Sequence, residues 1–599
     1  MKNERWAEPA EIRRALSPDE GVNAGGPILD YRNGKRWAFT KEGHTIFLGM
    51  SGVGKSRRGT IPMILSFIRS MVSFVVADSK GEIYRQTACY LDKKYRWLVI
   101  NFRDIFSSLR WNPLAHICEL YRSGEPRKKQ TALELLDNLA IALYPVHEKA
   151  DPFWAESARS AFISAAIILL DNAEPAQVTI ANIYQFFARG DERCGMSTYL
   201  KKLVSDLPEG STAGMLLSGY VNAPNDTRGS IKTTLLEGIS TFARSEGLVS
   251  MLSADDLHIN DLDGETPTAI YIILPDESKN YDALCGVLCG QLLMHYVRMA
   301  HDKYGGRLPR QLNVCLEELG NIGKAIGSLS HLLSAARSRN IRLQLVLQNL
   351  AQLDTIYGPS EASTIRSNAD ILVAYRINHW ETLTELSHKC GEREVEVNDR
   401  WSREPLITPA GLGAMETGQA LVMISGKTKF ITRLPDYTEM YDVSGWRPPE
   451  EIVRTEVTRV QPFDIRTYVM ELKKKKTDNA PSEITSMLSG SQSPSLANLD
   501  IDQLMADVDK KLKELDKEEK AKNDDKLTQE TVFELVIFDA GENKTDVIKA
   551  LRRIEGADRP QAMKAVASTP YTVQFKSKQR AMAAREMLEE AGATVFSNF

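Results

Sequence analysis

The sequence has no uncharged apolar run of the roughly 18 residues that a membrane-spanning helix needs. Its two markedly apolar charge-free stretches, Ala161–Leu170 and Ala283–Val297, are shorter, and the second carries Gln291 and His295. Both read as buried helices. The N-terminal MKNERWAEPAEIRRAL has no apolar segment after its charges, which argues against a secretory signal. A chain that starts and stays on the cytosolic side is expected. Cysteine is sparse: the seven residues Cys89, Cys118, Cys194, Cys285, Cys289, Cys315 and Cys390 form no Cys-x-x-Cys pair and have no His at ligand spacing. That argues against zinc and against a disulfide framework. Net charge is also nearly absent, with 75 Lys+Arg against 79 Asp+Glu. A globally basic nucleic-acid coat is ruled out, while a local basic channel is not.

What is present is ordinary soluble material: 43% hydrophobic and 26% charged residues over 599 positions. That length corresponds to about three to five domains. Residues 1–40 read as a polar lead-in broken at Gly25-Gly26-Pro27. From His44 onward short apolar runs alternate with helical stretches, at Thr45–Leu48, Phe74–Ala77, Leu98–Ile100, Thr268–Leu274, Leu312–Leu316, Leu343–Leu347, Ile371–Tyr375 and Ala420–Ile424. Runs of Val, Ile and Leu spaced by helices are what a parallel sheet covered on both faces requires. The expected fold is therefore α/β. An all-helical insertion at 115–225, with helices near Lys128–Ile141, Phe153–Leu170 and Val178–Arg189, would divide it into parts at 41–114 and 226–440.

Beyond 441 the composition shifts. Four lysines at Lys473–Lys476 and a Ser/Pro/Asn/Gly-rich stretch at 477–498 predict a linker over 441–530. Within it Ile501, Leu504, Met505, Val508, Leu512 and Leu515 form an apolar helical stripe. The stripe suits docking on the same chain or half of a coiled coil. A compact unit closes the chain at 531–599.

The motif that carries chemistry follows the first apolar run. Gly49-Met-Ser-Gly-Val-Gly54-Lys55-Ser56 matches G-x-x-x-x-G-K-[ST] between a strand and a helix, the context a phosphate-binding loop requires. Its glycines let backbone N–H groups face a β-phosphate, and the following helix N-terminus adds partial positive charge. Gly49, Gly52, Val53, Gly54, Lys55 and Ser56, with Arg57 following, form the expected ATP-binding set. Lys55 would neutralise phosphate oxygens and Ser56 would ligate Mg²⁺. A second acidic site is expected at Glu317-Glu318, at the end of the Gln311–Leu316 run. Glu317 would hold the Mg²⁺ shell and Glu318 would polarise the attacking water. Asp276-Glu277 is a weaker rival, because Pro275 intervenes.

These residues resemble the TraG/TraD/TrwB-type coupling proteins of type IV secretion. Beyond the phosphate loop, the resemblance runs through Val75-Val-Ala-Asp78-Ser-Lys80-Gly81-Glu82, Trp111-Asn-Pro-Leu114, Phe153-Trp154, Thr227-Arg228-Gly-Ser230, Glu317-Glu318, Ala336-Arg337-Ser-Arg339-Asn-Ile, Gln348-Asn-Leu-Ala-Gln352 and Asn368. It implies a RecA-like P-loop NTPase domain that hydrolyses ATP with Mg²⁺. It also implies Gln348 as sensor of the γ-phosphate and Arg337 or Arg339 as a finger reaching a neighbour's nucleotide. Further implications are a homohexameric ring with single-stranded DNA in its channel, relaxase and secretion-channel components as partners, and a helical domain that meets substrates. Two departures stand out. The second acidic site is Glu-Glu where the family has Asp-Glu, which predicts slower turnover. The family's membrane-spanning helices have no counterpart, which predicts a peripheral protein at the cytoplasmic face of the bacterial membrane, held by a separate anchor protein.

The last unit has its own resemblance. Phe533-Glu-Leu-Val-Ile, Gly541 to Arg552, Gln561-Ala-Met-Lys564 and Ala591-Gly-Ala593 look like the C-terminal domain of the bacterial ribosomal stalk protein. That implies a small α/β fold used for docking a protein partner, with Lys544, Lys549 and Arg552 on its basic face. Ala557-Asp-Arg-Pro560 departs from the stalk pattern, in which a Gly-Leu turn is usual. Two other readings of the whole chain follow from the same residues: an adapter that binds nucleotide without hydrolysing it, and a pump for duplex DNA.

Overall fold

In the computed structural model the residues described are 4–20, 25–146, 151–327, 329–397, 400–425, 428–449, 457, 459–478, 533–539, 544–555, 562–563, 566, 571–575, 578–591 and 593–597. The chain divides into two compact units, Met1–Ala480 and Pro481–Phe599.

Near the N-terminus, β1 (Ser17–Pro18), β2 (Ile28–Arg32) and β3 (Lys35–Ala38) form a small antiparallel sheet in the order β1-β3-β2. The stretch expected as a polar lead-in is therefore folded. Ile28, Leu29 and Ala38 are buried, in the same core as Phe47, Phe67 and Phe74 of the main domain. Asn33 and Gly34, both with positive φ (52° and 73°), turn β2 into β3.

The main sheet collects β4 (His44–Leu48), β5 (Ser73–Asp78) and β6 (Arg96–Asn101) first. A two-residue hairpin, β7 (Arg193–Cys194) and β8 (Ser197–Thr198), lies within the helical region. The sheet continues with β9 (Thr268–Ile273), β10 (Leu312–Leu316), β11 (Ile341–Leu347) and β12 (Ala369–Ala374). Outside it stands a hairpin of β13 (Glu392–Val397) and β14 (Arg400–Pro405), and β15 (Gln419–Ile424) and β16 (Thr428–Arg433) finish it. The order is β16-β15-β12-β4-β11-β10-β5-β9-β6, parallel from β12 to β6 and antiparallel at β15 and β16. All eight apolar runs read from the sequence lie on these strands.

Every residue of β4, β5, β9, β10 and β11 is buried, as a sheet covered on both faces demands. Alternation along each strand sorts the side chains into two cores. Ile46, Leu48, Val75 and Ala77 face one side, with the helix Asp282–Asp302. Phe47, Phe74 and Val76 face the other, with the helix Ile61–Arg69, whose Met63, Ile64 and Phe67 are fully buried. Each such side chain contributes about 1.5–3 kcal/mol. Among the described residues, two helices are apolar and long enough to cross a membrane, Pro152–Asn172 and Asp282–Asp302; both pack mainly inside the protein, so the expectation of buried helices holds for both charge-free stretches.

Between β6 and β9 the chain is helical, from Ala115–Tyr121 through Pro126–Leu143, Pro152–Asn172, Ile180–Gly190, Tyr199–Asp206 and Thr212–Asn222. The helices do not stop at 225. Asn225–Ile239 and Glu246–Met251 follow, and the sheet resumes only at Thr268. Pro224 stands at the N-cap of Asn225–Ile239, which buries Ile231, Leu235 and Ile239. Trp111, fully buried, joins the two regions: its Nε1 donates to Gln291 Oε1 (3.2 Å) in the core helix, and Gln291 Nε2 donates to the Pro113 carbonyl (2.8 Å).

Part of the expected linker also folds back. The helix Ile465–Asp478, which contains the lysine run, is anchored on the helical region through Phe463, Ile465 and Val469. Asn182 reinforces this by donating to the Gln461 carbonyl (2.9 Å) and accepting from Phe463 N–H (3.2 Å). The stripe Ile501–Leu515 lies outside the described residues.

In the second unit β17 (Phe533–Asp539) is central, flanked antiparallel by β18 (Tyr571–Phe575) and β19 (Thr594–Ser597). The helices Lys544–Glu555 and Lys578–Glu590 accompany them, with Leu535, Ile537, Val547, Leu551 and Leu588 fully buried. Lys544 and Lys549 are exposed, and the Arg552 side chain and the Ala557–Pro560 turn lie outside the described residues.

Candidate nucleotide site

Because β4, β5, β10 and β11 run parallel, the residues that follow them meet at one edge of the sheet. The loop after β4 turns on Gly52 and Gly54, whose φ values of +81° and +84° only glycine adopts without strain. A Cβ on Gly54 would also stand 2.2 Å from Arg58 Nη1. Lys55 Nζ donates to the carbonyls of Gly49 and, at 3.3 Å, Met50, so the amine is held inside the loop. After Lys55 the backbone opens into a π turn over Ser56–Thr60 before the helix Ile61–Arg69. Pro62 explains the widening, since it has no N–H to give to the carbonyl four residues back. Turns of this kind recur at functional sites.

The central contact joins residues 261 positions apart: Ser56 Oγ donates to Glu317 Oε1 at 2.6 Å. Glu317 follows directly on β10 and is 5% exposed. Burial, reinforced by the nearby Asp78 carboxylate, pushes its carboxyl up to about 8, against the Ser56 hydrogen bond. Asp78, fully buried at the end of β5, is raised to about 6 by burial, although the Tyr84 (2.8 Å) and Lys80 (3.3 Å) N–H groups donate to it. Lys55 is lowered by burial, and Glu318 and Glu317 oppose that shift. Cation and carboxylates thus share one partly dry pocket.

Glu318 follows with φ 53° and ψ 46°, a left-handed conformation that costs about 1–3 kcal/mol for a non-glycine residue. The sharp turn brings its Oε2 to 3.5 Å from Gln348 Nε2, and Gln348 N–H is fixed by Gln352 Oε1 (2.8 Å). The loop lysine, both glutamates and the glutamine are therefore brought to one edge. Asp78 belongs with them. The sequence carries it in a strand-end motif, but its burial beside Glu317 emerges only from the β5–β10 pairing.

Other residues named from sequence go elsewhere. The Arg57 side chain is taken by Asp436, with Nε at 2.6 Å and Nη2 at 2.9 Å, and lies 3.8 Å from Glu82. Asp276 and Glu277 are exposed and share Arg103 (3.1 and 2.8 Å). Arg337, in the last turn of the helix Leu329–Ser338, and Arg339, just past its end, precede β11, so within this chain they lie at the sheet edge opposite the phosphate loop. Arg337 pairs with Asp370 (2.9 Å), and Arg339 Nη1 donates to the Ala335 carbonyl (2.6 Å).

The donor set fits a hard cation beside a phosphate chain. A serine hydroxyl and a carboxylate oxygen at the same point suit Mg²⁺, which takes oxygen ligands. A carboxyl forced up by burial gains most from a cation.

A phosphate loop after the first strand of a parallel sheet, with a strand-end carboxylate on its serine, defines the class of P-loop nucleotide-binding α/β proteins. A family model described as "Type IV secretory system Conjugative DNA transfer" matches residues 5–437, and the chain belongs to that family. A second model, "Ribosomal protein L7/L12 C-terminal domain", matches residues 533–596.

Among solved structures, the bacterial conjugative coupling protein TrwBdeltaN70 is similar with a TM-score of 0.56 and 16% identity, covering 76% of this chain and 96% of that one. Plasmid coupling protein TrwB in complex with ADPNP gives 0.57 at 17% identity, covering 76% and 97%. TrwB in complex with ADP and Mg²⁺ gives 0.56 at 17%, again over 76% and 97%. These likenesses show the fold. The large ribosomal subunit protein bL12 of Francisella tularensis subsp. novicida (strain U112) is 46% identical over 68 residues, which is 11% of this chain and 54% of the relative. The bL12 of Teredinibacter turnerae (strain ATCC 39867 / T7901) is 47% identical over 68 residues, again 11% and 54%. The chain thus spans about half the length of the curated relatives it matches.

Proposed function

We propose that this protein is the ATPase that couples DNA to a type IV secretion channel. The observation that carries the reading is the 2.6 Å contact of Ser56 with Glu317, which unites loop and strand-end carboxylate as nucleotide hydrolysis needs. Backbone N–H groups of Gly52 to Ser56 and the Lys55 amine hold the phosphates, while Ser56 and Glu317 hold Mg²⁺. The bound cation supplies charge neutralisation along the phosphate chain. Glu318, fixed by its turn, orients the attacking water and accepts its proton, and Gln348 senses the terminal phosphate through the Glu318 contact. Arg337 or Arg339 completes a neighbour's site in a homohexamer.

The DNA is single-stranded and relaxase-bound, the helical region receives substrate, and the ring works at the cytoplasmic face of the membrane with a separate anchor protein. The stalk-like unit docks a protein partner through its basic helix. Local Lys and Arg meet the DNA phosphates despite the near-neutral total.

The test is ATP turnover of the purified chain with and without single-stranded DNA, beside Lys55→Ala and Glu318→Gln. The expected result is DNA-stimulated turnover that is lost in both variants. ATP binding without turnover would replace the motor with an adapter, and equal stimulation by duplex would replace single-strand coupling with a duplex pump.

A further inference from the structure

The opposite edge of the sheet, where β5, β10 and β11 begin, holds a cleft of about 530 Å³ lined by Val72, Glu265, Arg307, Arg310, Asn340 and Arg342 among others. With strands of five to seven residues, this edge lies about 17–23 Å from the phosphate loop. Three guanidinium groups converge here, and their counter-charges fall short. Arg307 pairs with Glu42 at 2.6 Å. Glu265 turns its carboxylate to the Tyr304 hydroxyl (2.9 Å) and Lys303 (3.9 Å).

Arg310 and Arg342 are anchored on backbone carbonyls instead. Arg310 donates to Glu265 O (2.6 Å) and Met71 O, and Arg342 to Thr40 O (2.7 Å) and Gly25 O (3.5 Å). Neither has a carboxylate within ion-pair distance among the described residues. Arg342 is 7% exposed, and its Nε has no hydrogen-bond partner. Burial pulls its guanidinium down to about 10, with Glu42 opposing and Arg307 assisting.

A buried cation without a counter-ion is costly, and a carbonyl anchors a guanidinium without neutralising it. The carbonyls do fix both forks in place. Fixed forks lose little freedom on binding and suit the tetrahedral oxygens of a phosphate, which they contact two at a time. Asn340, held by donating to Leu308 O at 3.2 Å, adds a polar wall.

We propose that this cleft is a second anion site, built to take a phosphate group either as free phosphate or as the headgroup of an anionic lipid. It is independent of the nucleotide reading, because it shares no residue with the phosphate loop.

The experiment uses the full chain. Inorganic phosphate is titrated calorimetrically into the unmutated protein, Lys55→Ala, Arg310→Gln and Arg307→Gln, and hydrogen exchange is followed over residues 305–312 and 341–343. Binding that survives Lys55→Ala, weakens about tenfold or more in Arg310→Gln and protects those two segments is the expected result. Flotation with phosphatidylglycerol/phosphatidylcholine vesicles against phosphatidylcholine alone separates the sources. Capture by the anionic vesicles that Arg310→Gln loses and phosphate competes away identifies a headgroup, and phosphate binding without capture identifies the free ion. If Arg310→Gln does not fold, Arg307→Gln and the exchange pattern of the unmutated protein decide. Phosphate binding abolished by Lys55→Ala, unchanged in both arginine variants, or without protection at these segments overturns the proposal.

Discussion

Acidification should loosen the sheet at His44, and the size of the effect can be worked out. His44 begins β4, is 1% exposed, and uses both ring nitrogens: Nδ1 accepts from Leu343 N–H (3.0 Å) and Nε2 meets the Leu333 carbonyl (2.9 Å). That network assigns the neutral ring with its proton on Nε2. Burial lowers the ring from 6.5 to about 4, against the Leu333 hydrogen bond and Asp370, with Arg337 and Arg342 assisting the decrease.

A base held down in the folded state stabilises fully above its unfolded value and loses that stability as pH falls toward the folded one. A ring at 6.5 unfolded and about 4 folded therefore costs about 2 kcal/mol on going from about pH 8 to about pH 5. The assay is urea denaturation of the unmutated chain and His44→Gln across that range, with hydrogen exchange at residues 341–347. The stability of the unmutated chain relative to His44→Gln should fall by about 2 kcal/mol toward acid, and the Leu343 amide should exchange faster. Parallel pH profiles would refute the reasoning.

Three further outcomes are expected. Gly26→Ala places a Cβ 1.9 Å from the Phe39 carbonyl oxygen and 2.7 Å from its carbon; the backbone must shift, so stability should fall by about 3 kcal/mol or more, and limited proteolysis should begin within residues 25–40. A double-mutant cycle of Arg57→Ala with Asp436→Ala should give a coupling of about 0.5–1 kcal/mol, since the pair is bidentate but Arg57 is 43% exposed. Trp111→Phe removes the donor to Gln291 in a buried setting, and should cost about 1–3 kcal/mol in chemical denaturation while loosening the helical region first in hydrogen exchange.

The central strands were legible because strands buried on both faces are written as unbroken apolar runs. β16 was not: Thr-Lys-Phe-Ile-Thr-Arg is an edge strand, and its buried Lys429 is compensated by Glu4 at 2.6 Å and by the Cys390 carbonyl. The N-terminal sheet was hidden by its charges, although Asn33-Gly34 is a recognised hairpin signal and marked the turn. In the site, the loop and Glu317-Glu318 followed from local pattern. The fate of Arg57 did not, because its partner Asp436 lies 379 residues away. The helical region extends past 225 because Asn225–Ile239 buries Ile231, Leu235 and Ile239, and Pro224 stands at its start, where a missing N–H costs nothing.

Strand order also has a consequence for synthesis. β4 and β5 are the first strands of the main sheet to leave the ribosome, yet they never touch each other: β11 and β10 lie between them. Ser56 must therefore wait for Glu317, 261 residues later, or roughly 13–52 s at about 5–20 residues per second. During that interval both strands present unpaired edges, the state most open to pairing with another chain. The gap between β4 and β5 fills only once β10 and β11 have been made, and the nucleotide site becomes whole at that point, before β12, β15 and β16 extend the sheet beyond β4.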